Sequence, residues 1–231
     1  MSDQNIGEKD CFQTVNAAHC FSLLIPDDLE FLNAKKAQVS YLKGETVFKQ
    51  GAFAPHVLYV VEGLVKVFLQ TGGNKQMNIR LARQGEFIAF TTVFEDTVYP
   101  YSAVAIKDAE ICMIDKTALK QLLYQNPDFA LRITARNCQN EKRYLEMIQN
   151  LSYKQMRGKL ASALLYLSEE FIDERVFLYL TRQELADFAS ITIESTVKFL
   201  KEFERDGIIL LDGKDILISD KTRLKDIYQK G

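Results

Sequence analysis

Residues that could do chemistry are sparse and scattered in this chain. Two histidines, His19 and His56, and four cysteines, Cys11, Cys20, Cys112 and Cys138, make up its soft ligands. They form no Ser/His/Asp or Cys/His catalytic set and no paired-histidine metal motif, and no Walker-type glycine loop accompanies them. The chain is therefore not expected to be an enzyme. The polar residues between Thr181 and Gly207 are arranged differently. Thr181 with Glu184 three residues on has the form of a capping box, and Leu185, Phe188 and Ala189 follow on one helical face. Ser190, Ile191 and Thr192 break the run. Thr192 can cap a second helix with Thr196, Phe199, Leu200 and Phe203 inward, and Gly207 suits its C′ position. Two short capped helices with a tight break form either an ordinary helical hairpin or a helix-turn-helix, whose second helix enters the DNA major groove.

The elements that must position this stretch follow from the rest of the 231 residues, of which 47% are hydrophobic and 26% charged. That length suits one large domain or two modest ones. No apolar run approaches the roughly 18 residues of a membrane span. The polar start, MSDQNIGEKDCFQTV, has no apolar core of a secretory signal, so a cytoplasmic protein with free thiols is expected. The net charge is −2. From Thr181 to Gly231 nine Lys/Arg face ten Asp/Glu, so DNA binding would rest on a few well-placed cations in a dimer, since phosphate neutralisation supplies much of the affinity.

Residues 1–25 carry no clear pattern. Asp27 or Asp28 can cap a short helix through Leu29, Phe31 and Leu32. Between 39 and 115, short apolar or alternating runs are separated by Gly44, Gly51, Gly63, Gly72-Gly73 and Gly85, which indicates an all-β sandwich or roll. The runs are Val57–Val61, Leu64–Leu69, Met77–Leu81, Tyr101–Ile106 and Glu110–Ile114, with a hairpin at Gly72-Gly73. Thr117–Tyr124 reads as a short helix. Asn126-Pro127-Asp128 starts a long one reaching about Ser152. Along it Leu131, Thr134, Cys138, Glu141, Leu145 and Ile148 recur at heptad spacing, a narrow and partly polar seam suited to a two-stranded homodimer. The alternative is a helix lying on its own β domain. Another helix spans Lys154 to about Phe171, and Val176–Leu180 reads as a strand. Behind Gly207 come Ile208–Leu211, Asp212-Gly213 and Ile216–Ile218, a hairpin signal. A hairpin placed there is a wing, which favours the helix-turn-helix over the plain hairpin.

In this order the parts resemble the Crp/Fnr superfamily of bacterial transcription regulators over nearly the whole chain. KGETVFKQG (Lys43–Gly51) and LYVVEGLVKV (Leu58–Val67) look like its cyclic-nucleotide-binding β-roll. Asn126-Pro127-Asp128 resembles the start of its dimer helix. TRQEL (Thr181–Leu185) and IESTVK (Ile193–Lys198) look like its helix-turn-helix. The resemblance implies an α+β chain with three parts: a sensor domain at 1–125 built as a double-stranded β-helix (a jelly-roll-like β-roll), a dimerisation helix at 126–152, and a winged helix-turn-helix at 153–231. It implies a homodimer on palindromic double-stranded DNA, with RNA polymerase as a partner and no membrane role.

Carried over residue by residue, Glu194 stands where the family places an acidic base reader, able to accept from a cytosine amine. Lys198 stands where the family usually has Arg, and Lys lacks the fixed fork for bidentate binding. Val197 offers only contact with a thymine methyl. Thr181, Arg182, Thr192 and Ser195 are phosphate-contact candidates.

In the sensor, the family's cyclic-nucleotide members have a Gly-Glu-Leu turn and then an Arg-Ser pair whose Arg neutralises the cyclic phosphate. Here Gly85-Glu86-Phe87-Ile88 leads to Ala89-Phe90-Thr91, and the pair reads Tyr101-Ser102. The Thr-Ser pair that meets adenine is Tyr144-Leu145. Without a cation for the phosphate, cyclic AMP in the usual mode is not expected. A pocket formed by Phe87, Phe90, Thr91, Tyr101, Ser102 and Tyr144 would take a more apolar ligand, unless its aromatic rings simply fill it. A second branch of the family holds a [4Fe–4S] cluster on four cysteines. Cys112 resembles the fourth ligand, and Cys11 and Cys20 two of the others, with Thr14 near the place of the missing one. Haem on His19 or His56 is a further alternative. Two rival functions stay open: a ligand-binding roll without DNA binding, and an iron–sulfur redox regulator.

Overall fold

A computed structural model describes residues 21–72, 75–94 and 97–231. The chain divides into two compact units. One holds the described residues up to Val67 together with Leu81–Asn140, and the other holds Phe68–Arg80 with Glu141–Gly231. The expected boundaries at 125 and 152 therefore differ from this division, which falls inside the long helix and moves a hairpin tip into the C-terminal unit.

The first unit opens with α1 (Pro26–Asn33). Its N-cap is Ile25, with no side-chain bond, and Pro26 takes the first position. Asp27 and Asp28 thus lie in the first turn rather than at the cap, where they face the positive end of the helix dipole. Strands β1 (Lys36–Tyr41), β2 (Thr46–Phe48), β3 (His56–Gln70), β4 (Gln76–Arg83), β5 (Phe87–Ile88) and β6 (Ser102–Asp115) form one six-stranded sheet. Its order is β1-β6-β3-β4, with β2 on β6 and β5 on β3. The expected pairs of short runs are each one long strand. Gly63 does not end β3. It lies at φ 93, and a Cβ there would meet the Asp108 carbonyl oxygen at 2.2 Å, so close passage of the neighbouring chain explains the glycine. The hairpin at the end of β3 closes through Thr71 N donating to Lys75 O at 3.0 Å; Gly73 lies outside the described residues.

Helix α2 (Lys116–Gln125) follows, capped by Asp115, whose carboxylate accepts from Ala118 N. Val57, Tyr59 and Val61, alternate residues of β3, meet Phe21, Leu32, Phe87, Phe90, Cys112, Leu119 and Leu122 in one core. Phe129 and Ile133, from the first turns of α3 (Pro127–Tyr153), join it. The start signal of α3 acts through Asn126, whose Oδ1 accepts from Phe129 N at 3.0 Å.

In the second unit, α4 (Met156–Glu170) buries Leu160, Leu164 and Leu167. The expected strand at Val176–Leu180 is instead a 3-10 turn, Val176–Tyr179. Val176, Phe177 and Leu180 are the buried residues, a helical and not an alternating spacing, and Arg175 before them has left-handed backbone, φ 45. Then come α5 (Arg182–Ala189), α6 (Ile193–Arg205), β7 (Ile209–Asp212), β8 (Asp215–Ile218) and α7 (Lys221–Lys230). Helix α7 packs on α4, and Glu169 Oε1 of α4 meets Lys221 Nζ at 2.9 Å and Lys225 Nζ at 3.2 Å. Among the described residues no helix is long and apolar enough to cross a membrane.

Candidate nucleic-acid interface

Local chemistry sets both helix starts of the reader. Thr181 and Glu184 complete a reciprocal capping box on α5, with Glu184 Oε2 accepting from Thr181 N at 2.7 Å. Ser190 turns the chain with φ 51, and its N–H donates to Ala186 O. Thr192 caps α6 by accepting from Ser195 N at 3.2 Å. Below this, Thr196, Leu200 and Phe203 are buried, while Phe199 is half-buried. The buried Thr196 hydroxyl donates to Thr192 O at 3.0 Å, which satisfies its polar group within the helix.

The outer face of α6 carries Glu194, Val197 and Lys198, all exposed. The Glu194 carboxyl sits below the usual carboxylate range because it accepts from its own backbone N–H and from the Thr192 side chain. It is thus charged at neutral pH at the helix start. Thr181 and Thr192 are exposed and Ser195 is half-buried. The Ser195 hydroxyl donates to Met156 Sδ at 3.7 Å. Arg182 is half-buried, with burial lowering its pKa. Its guanidinium reaches the wing turn, donating to Gly213 O at 3.4 Å and Lys214 O at 3.5 Å. The candidate phosphate ligand therefore also ties α5 to the wing.

The wing pairs β7 with β8 from Ile209–Ile218 to Asp212–Asp215. Gly213, at φ 60, takes the left-handed conformation its two-residue turn needs. The turn end of the wing is held by the buried Asp215 carboxylate, which accepts from Arg175 Nη2 at 2.8 Å.

In the roll, Phe87 and Phe90 are buried, Ser102 is buried, Tyr101 is half-buried and Thr91 is exposed. Phe87 packs 5.0 Å from the Tyr59 ring and 5.8 Å from Phe90. The Tyr101 hydroxyl accepts from Ala89 N at 2.8 Å, at the head of the 3-10 turn Phe90–Val93. Ser102 Oγ accepts from Gln50 N at 2.9 Å. Tyr144, half-buried on α3, belongs to the other unit, while the other five expected pocket residues belong to the first. Cys112 is buried in the core, and Cys138 is exposed. Cys11, His19 and Cys20 lie outside the described residues. No group of three or more metal-ligating side chains occurs among the described residues.

On α3, Leu131, Leu145 and Ile148 are 71%, 63% and 57% exposed, and Thr134, Cys138 and Glu141 are exposed beside them.

Two family models match this chain: a cyclic nucleotide-binding domain over residues 38–126 and a Crp-like helix-turn-helix domain over residues 158–227. Together they take in more than half of it. The chain belongs to the Crp/Fnr family of transcription regulators. This family consists of regulators and not enzymes. The chain is 27% identical over 183 residues to the cAMP-activated global transcriptional regulator CRP of Escherichia coli O157:H7, covering 77% of this chain and 87% of that one. It is 27% identical over 203 residues to the anaerobic regulatory protein of Bacillus subtilis, covering 84% and 85%. Its fold matches the structure of FixK2 from Bradyrhizobium japonicum with a TM-score of 0.73 at 19% identity, over 83% of this chain and 96% of that one.

Within this Crp/Fnr reader, sequence reasoning passed over Lys201 and Arg205. Both are exposed on α6, three and seven residues beyond Lys198. That spacing places them along the same face and was available as a signal. It also passed over Asp187, a buried carboxylate on α5, for which no local pattern speaks.

Proposed function

We propose that this Crp/Fnr regulator acts as a homodimer in the cytoplasm, joined along the Leu131–Ile148 seam, and reads palindromic DNA with one α6 helix per half-site. RNA polymerase is its partner in transcription. Glu194 and Lys198 read base edges, Val197 meets a thymine methyl, and Thr181, Arg182, Thr192 and Ser195 contact phosphates. The observation that carries this reading is the capped, solvent-facing start of α6 with a wing behind it. The exposed Leu131, Leu145 and Ile148 support the dimer, because apolar side chains recurring at heptad positions along an exposed helix suit a two-stranded contact.

Selection of duplexes from a random pool tests the DNA reading. Two-fold symmetric sequences with half-sites about one helical turn, 34–36 Å, apart are expected. Enrichment of asymmetric sites, or none, would refute it. For the seam, Leu145→Glu should give monomers at micromolar concentration by sedimentation, and a persisting dimer would place the interface elsewhere.

The signal enters through the roll and is not cyclic AMP bound in the family's usual mode. A cyclic phosphate needs a cation and open N–H donors. Here the tyrosine hydroxyl already takes the Ala89 N–H, and Tyr101 stands in place of the cation. The residues present do not fit that ligand. Titration calorimetry with cyclic AMP should show no binding, and micromolar affinity would overturn the assignment. Anaerobic purification with metal analysis and an absorption spectrum tests the alternatives of a cluster on Cys11, Cys20 and Cys112 or of haem on His56 or His19; neither iron nor a Soret band is expected.

A further inference from the structure

The tip of the β3–β4 hairpin does something that DNA reading alone does not require. Residues Phe68–Arg80 belong to the same compact unit as the reader. Gln76 Nε2 donates to Asp187 Oδ2 of α5 at 2.7 Å. The other oxygen of that carboxylate, Oδ1, accepts from Gln183 Nε2 at 2.8 Å. Asp187 is only 8% exposed, so two neutral amides stand where water would otherwise solvate the charge. One residue pair along, Asn78 is fully buried and its Nδ2 donates to Glu184 O at 3.0 Å. The root of the hairpin is held from another side: Ile79 O accepts from Arg143 Nε at 3.3 Å and Nη2 at 3.1 Å. The Arg143 guanidinium lies over the Tyr166 ring of α4, and Tyr166 packs 6.1 Å from Phe188 of α5. The contacts close a circuit: hairpin to α5, α5 to α4, α4 to α3, and α3 back to the hairpin.

We propose that Gln76 and Asn78 are positioning residues for DNA recognition, bracing α5 so that α6 is held in one direction. This rests on the reading of the chain as a dimer on a two-fold site. The atoms that the hairpin takes, the Glu184 carbonyl and the Asp187 carboxylate, are not reading groups. Thr181, Glu194, Val197 and Lys198 stay exposed. The brace therefore leaves the DNA-facing side uncovered and controls its orientation. For a dimer, the second half-site is bound as an intramolecular event, and its contribution depends on the two readers being held at matching geometry. Orientation thus matters for a two-half-site duplex and little for a single half-site.

The test uses the full chain, a duplex selected by the wild-type protein, and the same duplex with one half-site scrambled. Gln76→Glu sets a second carboxylate against Asp187. Loss of a hydrogen bond to a charged group should weaken binding to the intact duplex by about ten-fold, with binding to the scrambled duplex unchanged. Adding Asp187→Asn should restore the intact-duplex affinity, because the new amide can donate to the new carboxylate while its oxygen still accepts from Gln183. Asn78→Ala should reproduce the loss without rescue. Equal loss on both duplexes, no loss, a gain in affinity, or failure of the double variant to recover would each overturn the brace. Amide exchange gives a readout independent of DNA: protection of α5 should fall in Gln76→Glu and return in the double variant, and unchanged protection would also overturn it. A wild-type chain that selects no duplex would instead sink the DNA reading, with the exchange result still deciding the brace.

Discussion

In the roll, aromatic side chains already touch one another or the backbone: Phe87 on Tyr59 and Phe90, Phe48 stacked 4.0 Å from Tyr99, Tyr101 on the Ala89 N–H. In the helix-turn-helix, Glu194, Val197 and Lys198 are exposed, and the polar bonds around them hold the backbone instead. Thr181 and Thr192 spend their hydroxyls on helix starts, and Glu194 is held at the start of α6. The contrast separates two uses of polar and aromatic groups. Where they satisfy each other they stabilise; where the backbone is satisfied by caps, the outward side chains remain available for recognition.

Substitutions on the two sides should therefore differ in what they change. The largest effect is expected from Phe87→Ala, which removes a buried ring from the roll core and should cost about 3–5 kcal/mol of stability by denaturant unfolding. A small change there would mean the rings enclose adaptable space, and the contrast would fail. Next, Glu194→Ala should cost about 1–3 kcal/mol of discrimination between the selected site and a base-substituted one, with the unfolding midpoint nearly unchanged. Equal loss on specific and random DNA would remove Glu194 from the base readers. Tyr101→Phe deletes only the hydroxyl that accepts from Ala89 N. It should destabilise the roll by about 1 kcal/mol, the worth of one ordinary hydrogen bond. If the variant instead gains affinity for a cyclic nucleotide, the hydroxyl had been standing in for a ligand.

The smallest effect concerns acid pH. Glu169 is held below the ordinary carboxylate value of 4.5, chiefly by Lys221 and also by Lys225. A group with a lowered folded pKa contributes stability that is present above its unfolded pKa and lost as pH falls through the folded value. The difference in urea midpoint between wild type and Glu169→Gln should thus be steady near neutrality, begin to shrink as pH falls past 4.5 and vanish only below the lowered folded value. A difference that persisted in strong acid would assign the effect to packing.

The reader was largely legible in the sequence because its determinants are local. Caps lie three residues from the donors they satisfy, and the wing announces itself in Asp212-Gly213. The α3 start was legible for the same reason, since Asn126 bonds to Phe129. What escaped was ambiguous or distant. Val176–Leu180 is apolar throughout, and a short apolar run does not tell a strand from a buried turn. Gln76 and Asp187 lie 111 positions apart, so no window on the sequence contains both. Tyr101 shows in the sequence only that an arginine is absent, while its bond to Ala89, 12 residues away, depends on how the roll closes.

Helix α3 runs unbroken from Pro127 to Tyr153, and this gives chain length inside it an unusual meaning. Each residue of an α-helix advances about 100° around the axis, 3.6 residues completing a turn. One residue inserted near Asn140 would swing Glu141, Leu145 and Ile148 off the line of Leu131, Thr134 and Cys138. Seven inserted residues would return them to it. Insertions and deletions in this segment should therefore survive in whole heptads, so that the helix keeps count in sevens while the loops on either side are free to drift by ones.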